Sequence, residues 1–298
     1  MPKRTRNDQD RDRPTGNRER ARPVEGRPPP PPSDRASPAT DRVNLPPRSD
    51  THKVYGLSAA LAVMERRPEQ VVRITHTETV RKPLANMLRE AARRRIAYRE
   101  VADDELSRIA ESVHHEGVCL LVTESPAPTL RELAQRTAPQ GLLLALDRVG
   151  NPHNVGAILR TAAFFGASGL VLAGAGSRRS GLPPAAVRVA EGGAEYVPVV
   201  RVAELADALR ELAGHGLAVV GADAHAPATL AELRWPSRVV LVVGSEDLGL
   251  SPRVHAACTT TVRIDGPGQE AVESLNVSVA AGVLLASYRG TSQAPNRS

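Results

Sequence analysis

Six short apolar runs in the second half of the chain constrain the fold more than any other feature of the sequence. They lie at 142–146, 170–172, 197–200, 218–220, 239–243 and 262–264, and stretches with helical periodicity separate them. Continuous apolar strands joined through helices are typical of a parallel sheet covered on both faces. Ligands bind to such sheets beyond the carboxyl ends of the strands. The sequence therefore predicts an α/β domain whose site lies in the segments that follow its strands.

The first 50 residues contrast sharply with this pattern. They hold 11 prolines, five of them consecutive from Pro28, and almost no large apolar side chains. Because such a segment buries too little apolar surface to offset the entropy cost of ordering it, we expect a disordered arm over residues 1–50. The arm has 12 basic and 8 acidic groups. It either holds RNA loosely through phosphate contacts or is only a solvated tail.

Residues 51–124 are predicted to form a separate small α/β unit. Residues 52–56 lead into a first helix that ends before Pro68 and has one apolar face, made of Leu57, Ala60, Leu61 and Met64. Further helices are expected from about Pro83 and over 106–113, with strands at 71–74, 96–101 and 118–122. Residues 125–139, which include a short polar helix, are interpreted as a linker. The second domain then spans 140–290, and 291–298 form a flexible tail.

Basic residues are concentrated around the second predicted helix. Between positions 81 and 99 only Glu90 opposes them; they are Arg81, Lys82, Arg89, Arg93, Arg94, Arg95 and Arg99. Arg89 and Arg93 lie four residues apart, on one helical face. This face is either a solvated charged surface or a contact surface for RNA, with Arg89, Arg93 and Arg94 as the candidate contacts. The formal charge of +6 is consistent with a polyanionic partner.

The first polar cluster follows the strand at 142–146. It reads Asp-Arg-Val-Gly-Asn-Pro-His-Asn-Val-Gly-Ala-Ile-Leu-Arg-Thr-Ala-Ala over residues 147–163. We expect a helix to begin around Asn154, an acceptable N-cap residue, which puts Arg160 in the second turn. From there an arginine can hold a phosphate or stabilise an oxyanion. Taken alone, the cluster is better explained by a capping Asn154 and a surface Arg160.

Two more polar clusters follow later strands. Residues 243–252 read Val-Gly-Ser-Glu-Asp-Leu-Gly-Leu-Ser-Pro, where Gly244 allows close backbone approach to a ligand, although an ordinary turn explains the segment too. Residues 264–276 form a glycine-containing loop that leads to Ser274, Leu275 and Asn276. A helix of small residues is expected over 276–288. Its apolar stripe suits close packing on the domain or on a second copy of the chain.

Several classes of protein are not supported by the sequence. It has no apolar run long enough to cross a membrane and no signal peptide, so a soluble, cytoplasmic protein is expected. Cys119 and Cys258 lack the spacing of a disulfide framework or zinc site, and no metal is expected. The glycines at Gly174 and Gly176 do not have the dinucleotide-binding spacing, which argues against a nicotinamide-dependent oxidoreductase.

In order and spacing, the three clusters together closely resemble the SpoU/TrmH class of the SPOUT superfamily of RNA methyltransferases. The matching patterns are N-P-x-N-x-G-x-x-x-R-T-A, G-S-E-x-x-G-L-S and S-L-N-V-S-V-A-A-G, which cover about residues 140–290. Residues 51–124 resemble the L30e-like RNA-binding domain that often precedes this domain. The layout, including Ala-Glu-Gly-Gly-Ala-Glu at 190–195, looks most like the YfiF-type branch.

The resemblance implies a trefoil-knotted parallel-sheet domain, a homodimer and the cofactor S-adenosyl-L-methionine. It implies 2′-O-ribose methylation of a structured RNA, either rRNA or tRNA. By match to the motifs, the cofactor is held mainly by backbone groups of Gly244, Ile264 and Leu275. The catalytic set is Arg160, Asn154, Glu246, Ser274 and Asn276. In this interpretation Arg160 activates the ribose hydroxyl, the two asparagines orient it, and Glu246 holds the loop or Arg160.

Three departures from the family pattern bear on substrate choice. Asp265, Gly266 and Pro267 replace the usual Pro-Met after Ile264, Glu191 stands where serine is frequent, and His-Glu-Gly-Val replaces His-Gln-Gly-Val at 115–118. The alternative function is a non-catalytic RNA-binding or ribosome-assembly factor that keeps the fold. The intact Asn154, Arg160 and Glu246 argue against it, because a decayed site loses its polar residues first.

Overall fold

The computed structural model of the protein describes residues 51–124, 126–174, 182–266 and 274–292. The predicted N-terminal arm and most of the atypical loop after Asp265 lie outside these ranges. Within them the chain forms two sheets, one in the N-terminal unit and one in the C-terminal unit. No helix in the described ranges is long and apolar enough to cross a membrane.

The N-terminal unit is a four-stranded mixed sheet with three α-helices in its described residues. Its elements are β1 (Thr51–Tyr55), α1 (Leu57–Arg66), β2 (Val71–His76), α2 (Ala85–Arg93), β3 (Ala97–Glu100), α3 (Asp103–Ala110) and β4 (Val118–Thr123). The strand order is β1-β4-β2-β3, and only β2 and β3 run parallel. The sequence missed β1, because its partner is β4, more than 60 residues away. Leu61, expected on the buried face of α1, is exposed, and Ala59 and Val63 are buried instead.

The C-terminal unit is a seven-stranded parallel sheet, which confirms the α/β prediction. Its elements are α4 (Leu130–Arg136), β5 (Leu142–Asp147), α5 (Pro152–Phe164), β6 (Gly169–Ala173), α6 (Pro184–Val189), β7 (Val199–Val202), α7 (Leu205–Gly214), β8 (Ala218–Ala222), β9 (Ala228–Thr229), β10 (Val239–Gly244), α8 (Pro252–Ala257), β11 (Thr260–Arg263) and α9 (Val277–Ser292). The order is β7-β6-β5-β10-β8-β11-β9. Each predicted apolar run overlaps a strand, whereas the two-residue strand β9 was not predicted.

Helices cover both faces of this sheet. Leu142, Leu144 and Leu146 of β5 pack with α5, α6 and α9, while Leu143 and Ala145 pack on the opposite face with α4, α7 and α8. Alternate strand residues point to opposite faces, so both faces of β5 are buried. The helix α4 falls in the segment predicted as a linker, but its Leu133 is fully buried. That part of the segment therefore belongs to the core of the second unit.

The last helix, α9, lies against the sheet and α5. It extends beyond the predicted end at Tyr288 to Ser292, into the segment expected to be a flexible tail. Tyr288 is fully buried and its hydroxyl donates to the carbonyl of Ser237 at 2.6 Å. Its ring packs edge-on against Trp235, with centroids 5.4 Å apart. These contacts fix the far end of α9 and so hold its first turn at the edge of the sheet where β5 and β10 end.

Both cysteines are structural. Cys119 is buried in the N-terminal unit and Cys258 is partly buried against the sheet. Burial raises the pKa of each thiol to about 11. Because the thiolate is the reactive form, neither side chain is a nucleophile at neutral pH.

Candidate active site

The polar clusters meet beyond the carboxyl ends of β5 and β10. These strands are parallel neighbours, and Gly244 at the end of β10 is in register with Asp147 at the end of β5. The buried Asp147 carboxylate accepts a hydrogen bond from the Ser251 backbone N–H at 2.6 Å, which ties the loop after β10 to β5. The loops that the sequence selected are thus held side by side at this edge.

Glu246 joins all three clusters. Its Oε1 accepts hydrogen bonds from Asn154 Nδ2 at 2.9 Å, from Asn276 Nδ2 at 2.5 Å and from the Val277 backbone N–H at 3.1 Å. Asn276 Nδ2 also donates to Asn154 Oδ1 at 3.2 Å. One carboxylate oxygen therefore fixes two amide side chains that come from the starts of α5 and α9.

The start of α5 differs from the prediction. The helix begins at Pro152, and Asn151 is its N-cap, with Oδ1 accepting the His153 backbone N–H at 2.9 Å. Proline is pre-organised for the first helical position, and this places the start two residues before the predicted Asn154. Asn154 consequently lies inside the first turn, where its side chain is available to Glu246. Arg160 lies in the third turn rather than the second.

Arg160 has a different partner from the one considered in the sequence analysis. Its Nη1 donates to Glu191 Oε1 at 2.6 Å, and both side chains are about half exposed. Arg160 is six residues after Asn154, or about 9 Å along the helix axis. Glu246 thus holds the loop, and Glu191 holds Arg160. Glu191 was noted in the sequence as a departure from serine and as part of the 190–195 segment, but neither observation predicted its bond to Arg160.

The loop after β10 has a geometry that requires glycine. A Cβ on Gly244 would lie 2.2 Å from the carbonyl carbon and oxygen of Gly249. Gly249 has φ +56° and its N–H donates to the Ser245 carbonyl at 2.9 Å. The loop itself therefore uses the close approach that glycine permits at 244, and contact of the Gly244 backbone with the cofactor stays a prediction.

The other predicted cofactor residues lie on neighbouring segments. Leu275 is 45% exposed just before α9, and Leu248 is 68% exposed on the loop after β10. Ile264 follows β11 and packs partly against the core, while Ser274 is exposed. The exposed apolar side chains of Leu248 and Leu275 suit contact with the purine ring of a nucleoside, so this part of the site fits the adenosine of S-adenosylmethionine. Among the residues described, no group of three His, Cys, Asp or Glu side chains is placed to hold a metal.

The basic face of α2 is less charged than its sequence indicates. Glu90 accepts hydrogen bonds from Arg93 and Arg94, each at 2.6 Å, and the bond from Arg94 lowers the pKa of Glu90. Glu105 pairs with Arg99 at 2.7 Å, and Glu100 lies 3.8 Å from Arg81. Arg89 donates to the neutral side chain of Asn86. The folded structure therefore brings Glu100 and Glu105 to these arginines, in addition to Glu90 within the cluster.

The two units are joined by a buried ion pair. Arg67, at the end of α1, donates from Nε and Nη2 to the two oxygens of Glu195 at 2.6 and 2.8 Å. Arg67 is 8% exposed and Glu195 9%. Burial, followed by the charge of the Arg67 guanidinium, lowers the pKa of His52 beside this pair. The contact joins residues 128 positions apart in the chain and was not predicted from the sequence.

Models of two known protein families match most of the chain. The sequence model of the SpoU rRNA methylase family matches residues 141–286, and that of the RNA 2′-O ribose methyltransferase substrate-binding domain matches residues 53–128. A protein of Mycobacterium avium named as an uncharacterized tRNA/rRNA methyltransferase is 35% identical over 280 residues, which cover 90% of this chain and 89% of the relative. YfiF of Escherichia coli O157:H7, named as an uncharacterized tRNA/rRNA methyltransferase, is 35% identical over 241 residues, 81% of this chain and 68% of the relative.

One relative is named for methylation of a specific rRNA, and solved structures share the fold. The 23S rRNA (guanosine-2′-O-)-methyltransferase RlmB of Pseudomonas aeruginosa is 38% identical over 242 residues, 80% of this chain and 95% of the relative. The SpoU methyltransferase AviRb of Streptomyces viridochromogenes, solved with AdoMet, matches with a TM-score of 0.67 and 26% identity over 83% of this chain and 93% of that one. The chain therefore belongs to the SpoU rRNA methylase family of RNA 2′-O-ribose methyltransferases.

Proposed function

We propose that this protein is an S-adenosylmethionine-dependent methyltransferase that modifies a ribose 2′-hydroxyl of ribosomal or transfer RNA. The observation that carries the proposal is the hydrogen-bonded set of Asn154, Glu246 and Asn276 at the carboxyl ends of β5 and β10. The relatives, named as rRNA and tRNA methyltransferases, support the same activity. This site does not support the non-catalytic alternative, because the polar residues of the site are present and hydrogen-bonded to one another. An RNA substrate of this kind also supports a cytoplasmic location.

The residues divide the chemistry between binding and orientation. When bound, S-adenosylmethionine supplies an electrophilic methyl group on a sulfonium, and transfer to an oxygen depends chiefly on alignment of the nucleophile. Backbone groups of Gly244, Ile264 and Leu275 would hold the cofactor. Asn154 and Asn276 present amide groups that orient the ribose. The ribose oxygen would bond to the methyl carbon as the sulfonium C–S bond breaks and S-adenosylhomocysteine leaves, and the hydroxyl would give its proton to solvent water. Arg160 would favour that loss by lowering the pKa of the hydroxyl.

Replacement of Glu246 by alanine is expected to lower the single-turnover rate of methyl transfer by about 10- to 100-fold. The substitution removes the one acceptor shared by Asn154, Asn276 and the Val277 N–H, so the two amides lose their fixed orientation. Glu246→Gln keeps an acceptor oxygen and should retain more activity. Asp247→Ala, which removes the adjacent exposed carboxylate, is the matched control. A wild-type rate in Glu246→Ala would show that this hydrogen-bonded set does not serve the reaction.

A trefoil knot and an L30e-like first domain are part of the proposal. The strand order, in which β10 lies between β5 and β8 and β11 lies between β8 and β9, is compatible with a knotted C-terminal region. The match of residues 53–128 to a substrate-binding family supports an RNA-binding role for the N-terminal unit. Its candidate RNA contacts are Arg89, Arg93 and Arg94 on the exposed face of α2.

A homodimer is proposed through α5 and α9. These helices contact each other and expose apolar side chains: Phe164 is 84% exposed, Val279 51% and Val283 37%. Exposed large apolar residues grouped on packed helices favour association. A two-fold symmetric interface would bury these side chains in both subunits.

In the double variant Val279→Arg/Val283→Arg, light scattering is expected to give the mass of one chain, 31.7 kDa, where the wild type gives twice that mass. Two arginines on the apolar face would place like charges opposite each other across a two-fold axis. Val113→Arg, at a 76% exposed position in the N-terminal unit, should leave the dimer intact. A monomeric wild-type protein would exclude this interface.

Two measurements test the proposed activity. Calorimetric titration with S-adenosylhomocysteine should show saturable binding, and its absence would favour the assembly-factor alternative. Mass-spectrometric mapping of 2′-O-methylated nucleosides in rRNA and tRNA, from cells with and without the gene, should reveal a methylated position that is lost with the gene. Identical maps would contradict the proposed activity, even if the protein binds the cofactor product.

A further inference from the structure

The short segment 191–196 touches both the candidate catalytic arginine and the N-terminal unit. It follows α6 and reads Glu-Gly-Gly-Ala-Glu-Tyr, and we call it the coupling segment. Its first residue bonds to Arg160 on α5, and its last two contact the end of α1. Six consecutive residues thus connect the two units at the site.

At the catalytic end, the coupling segment lies directly against α5. A Cβ on Gly193 would lie 3.0 Å from the Leu159 carbonyl oxygen and 3.1 Å from Arg160 Cα. Glu191 has φ +44°, in the left-handed region that residues with side chains seldom adopt. Such a conformation persists only where the surroundings impose it. Here it accompanies the bond between the Glu191 carboxylate and the Arg160 guanidinium.

At the other end, the segment is anchored on α1. Gly192 has φ +88°, and a Cβ there would lie 2.8 Å from the Ala62 Cβ, so the backbone abuts the helix. Glu195 makes the buried two-point ion pair with Arg67. The Tyr196 hydroxyl donates to Glu65 at 3.2 Å, and the Arg66 guanidinium lies 5.2 Å from the centre of the tyrosine ring.

The bond between Glu191 and Arg160 does little to stabilise the fold. An ion pair with side chains 59% and 48% exposed contributes little to folding, and the left-handed backbone at Glu191 opposes it. What the bond does is restrict the rotamers of a long side chain before substrate arrives. It also uses only one of the five guanidinium donors, which leaves the others for substrate.

We propose that Glu191 is a positioning residue for Arg160, and that docking of the N-terminal unit through Arg67 and Glu195 holds Glu191 in place. The inference rests on the proposed role of Arg160 in methyl transfer. In this arrangement the orientation of Arg160 depends on the unit that carries the candidate RNA contacts. A chain whose N-terminal unit is displaced would then have a less ordered arginine at its site.

The first test compares Glu191→Ala with Glu191→Gln in single-turnover methyl transfer to RNA. We expect the alanine variant to lose about 10-fold or more in rate, and the glutamine variant, whose amide oxygen still accepts from Arg160, to stay within about 3-fold of wild type. The affinities for RNA and for S-adenosylhomocysteine should change less than the rate. Glu204→Ala breaks a comparable exposed pair with Arg253 and is the control. A wild-type rate in Glu191→Ala, or equal losses in both variants, would overturn the positioning role.

The second test addresses the link to the N-terminal unit. Glu195→Gln should weaken the anchor and lower the single-turnover rate several-fold. In a chain that already carries Glu191→Ala, the same substitution should have no further effect, since both act through Arg160. Multiplicative losses in the double variant would show that the anchor does not act through Glu191.

A third measurement separates this inference from the proposed function. Solvent exchange of the Arg160 side-chain N–H groups, followed by nitrogen-15 NMR, should be slower in the wild type than in Glu191→Ala, with or without RNA. If the wild type methylates no RNA, the proposed function fails, while slow exchange still supports the positioning contact. Equal exchange in the two proteins would overturn the positioning contact, whatever the activity.

Discussion

Replacing Arg160 by alanine is expected to lower the rate of methyl transfer by about 10²- to 10³-fold, the loss typical of removing one preorganised charged donor from an active site. The ribose hydroxyl is a weak nucleophile until its proton leaves, and Arg160 is the charged group of α5, six residues along the helix from Asn154. S-adenosylhomocysteine affinity, measured by calorimetry, should stay within about 3-fold, because backbone groups are proposed to hold the cofactor.

The control and the conservative variant sharpen this prediction. Arg210→Ala removes an exposed arginine from α7, on the opposite face of the sheet, and should leave the rate unchanged. Arg160→Lys keeps the positive charge but loses the planar donor group, so it should recover only part of the activity. Retained turnover in Arg160→Ala would reject the assignment of this residue to catalysis.

Arg67→Ala is expected to lower the free energy of unfolding by about 3–5 kcal/mol, the cost of leaving one charge of a buried pair without its partner. Glu195 is 9% exposed and both its oxygens accept hydrogen bonds from Arg67. The alanine variant therefore leaves a buried carboxylate without its partner. Urea unfolding, monitored by circular dichroism, measures the change. The loss should exceed that of any exposed pair in the described part of the chain.

Two further variants separate pairing from burial. The double variant Arg67→Met/Glu195→Leu removes both charges and should restore much of the stability, since apolar residues often replace a buried ion pair without loss. Arg188→Ala breaks the more exposed contact with Glu116 between the same two units, and should cost about 1 kcal/mol or less. If Arg67→Ala unfolds like wild type, the pair does not hold the units together.

Much of the fold was predictable because its signals are local. The apolar runs that became β5, β6, β8 and β10 are continuous, and each is bounded by helical periodicity. Strands in a parallel sheet place their carboxyl ends at one edge, so the prediction that Asn154, Glu246 and Asn276 share a site followed from the strand assignment and the family motifs. The two-residue strand β9 has too short a pattern to be recognised.

Other features depend on residues far apart in the chain. Glu191 lies 31 positions from Arg160, and Glu195 lies 128 positions from Arg67. No local sequence pattern predicts either ion pair. The same holds for Glu100 and Glu105, which neutralise arginines near α2 only because β3 and α3 fold back beside them.

The sequence by itself determined the α/β class, the parallel sheet and the family, because apolar periodicity and motif spacing are properties of contiguous residues. Only the tertiary structure decided which carboxylate holds which site residue: Glu246 fixes the two asparagines, and Glu191 fixes Arg160. It also decided that the N-terminal unit is anchored beside the site through Glu195. Ion pairs form between whichever charges the packing brings within reach, so their partners emerge only when the backbone is folded.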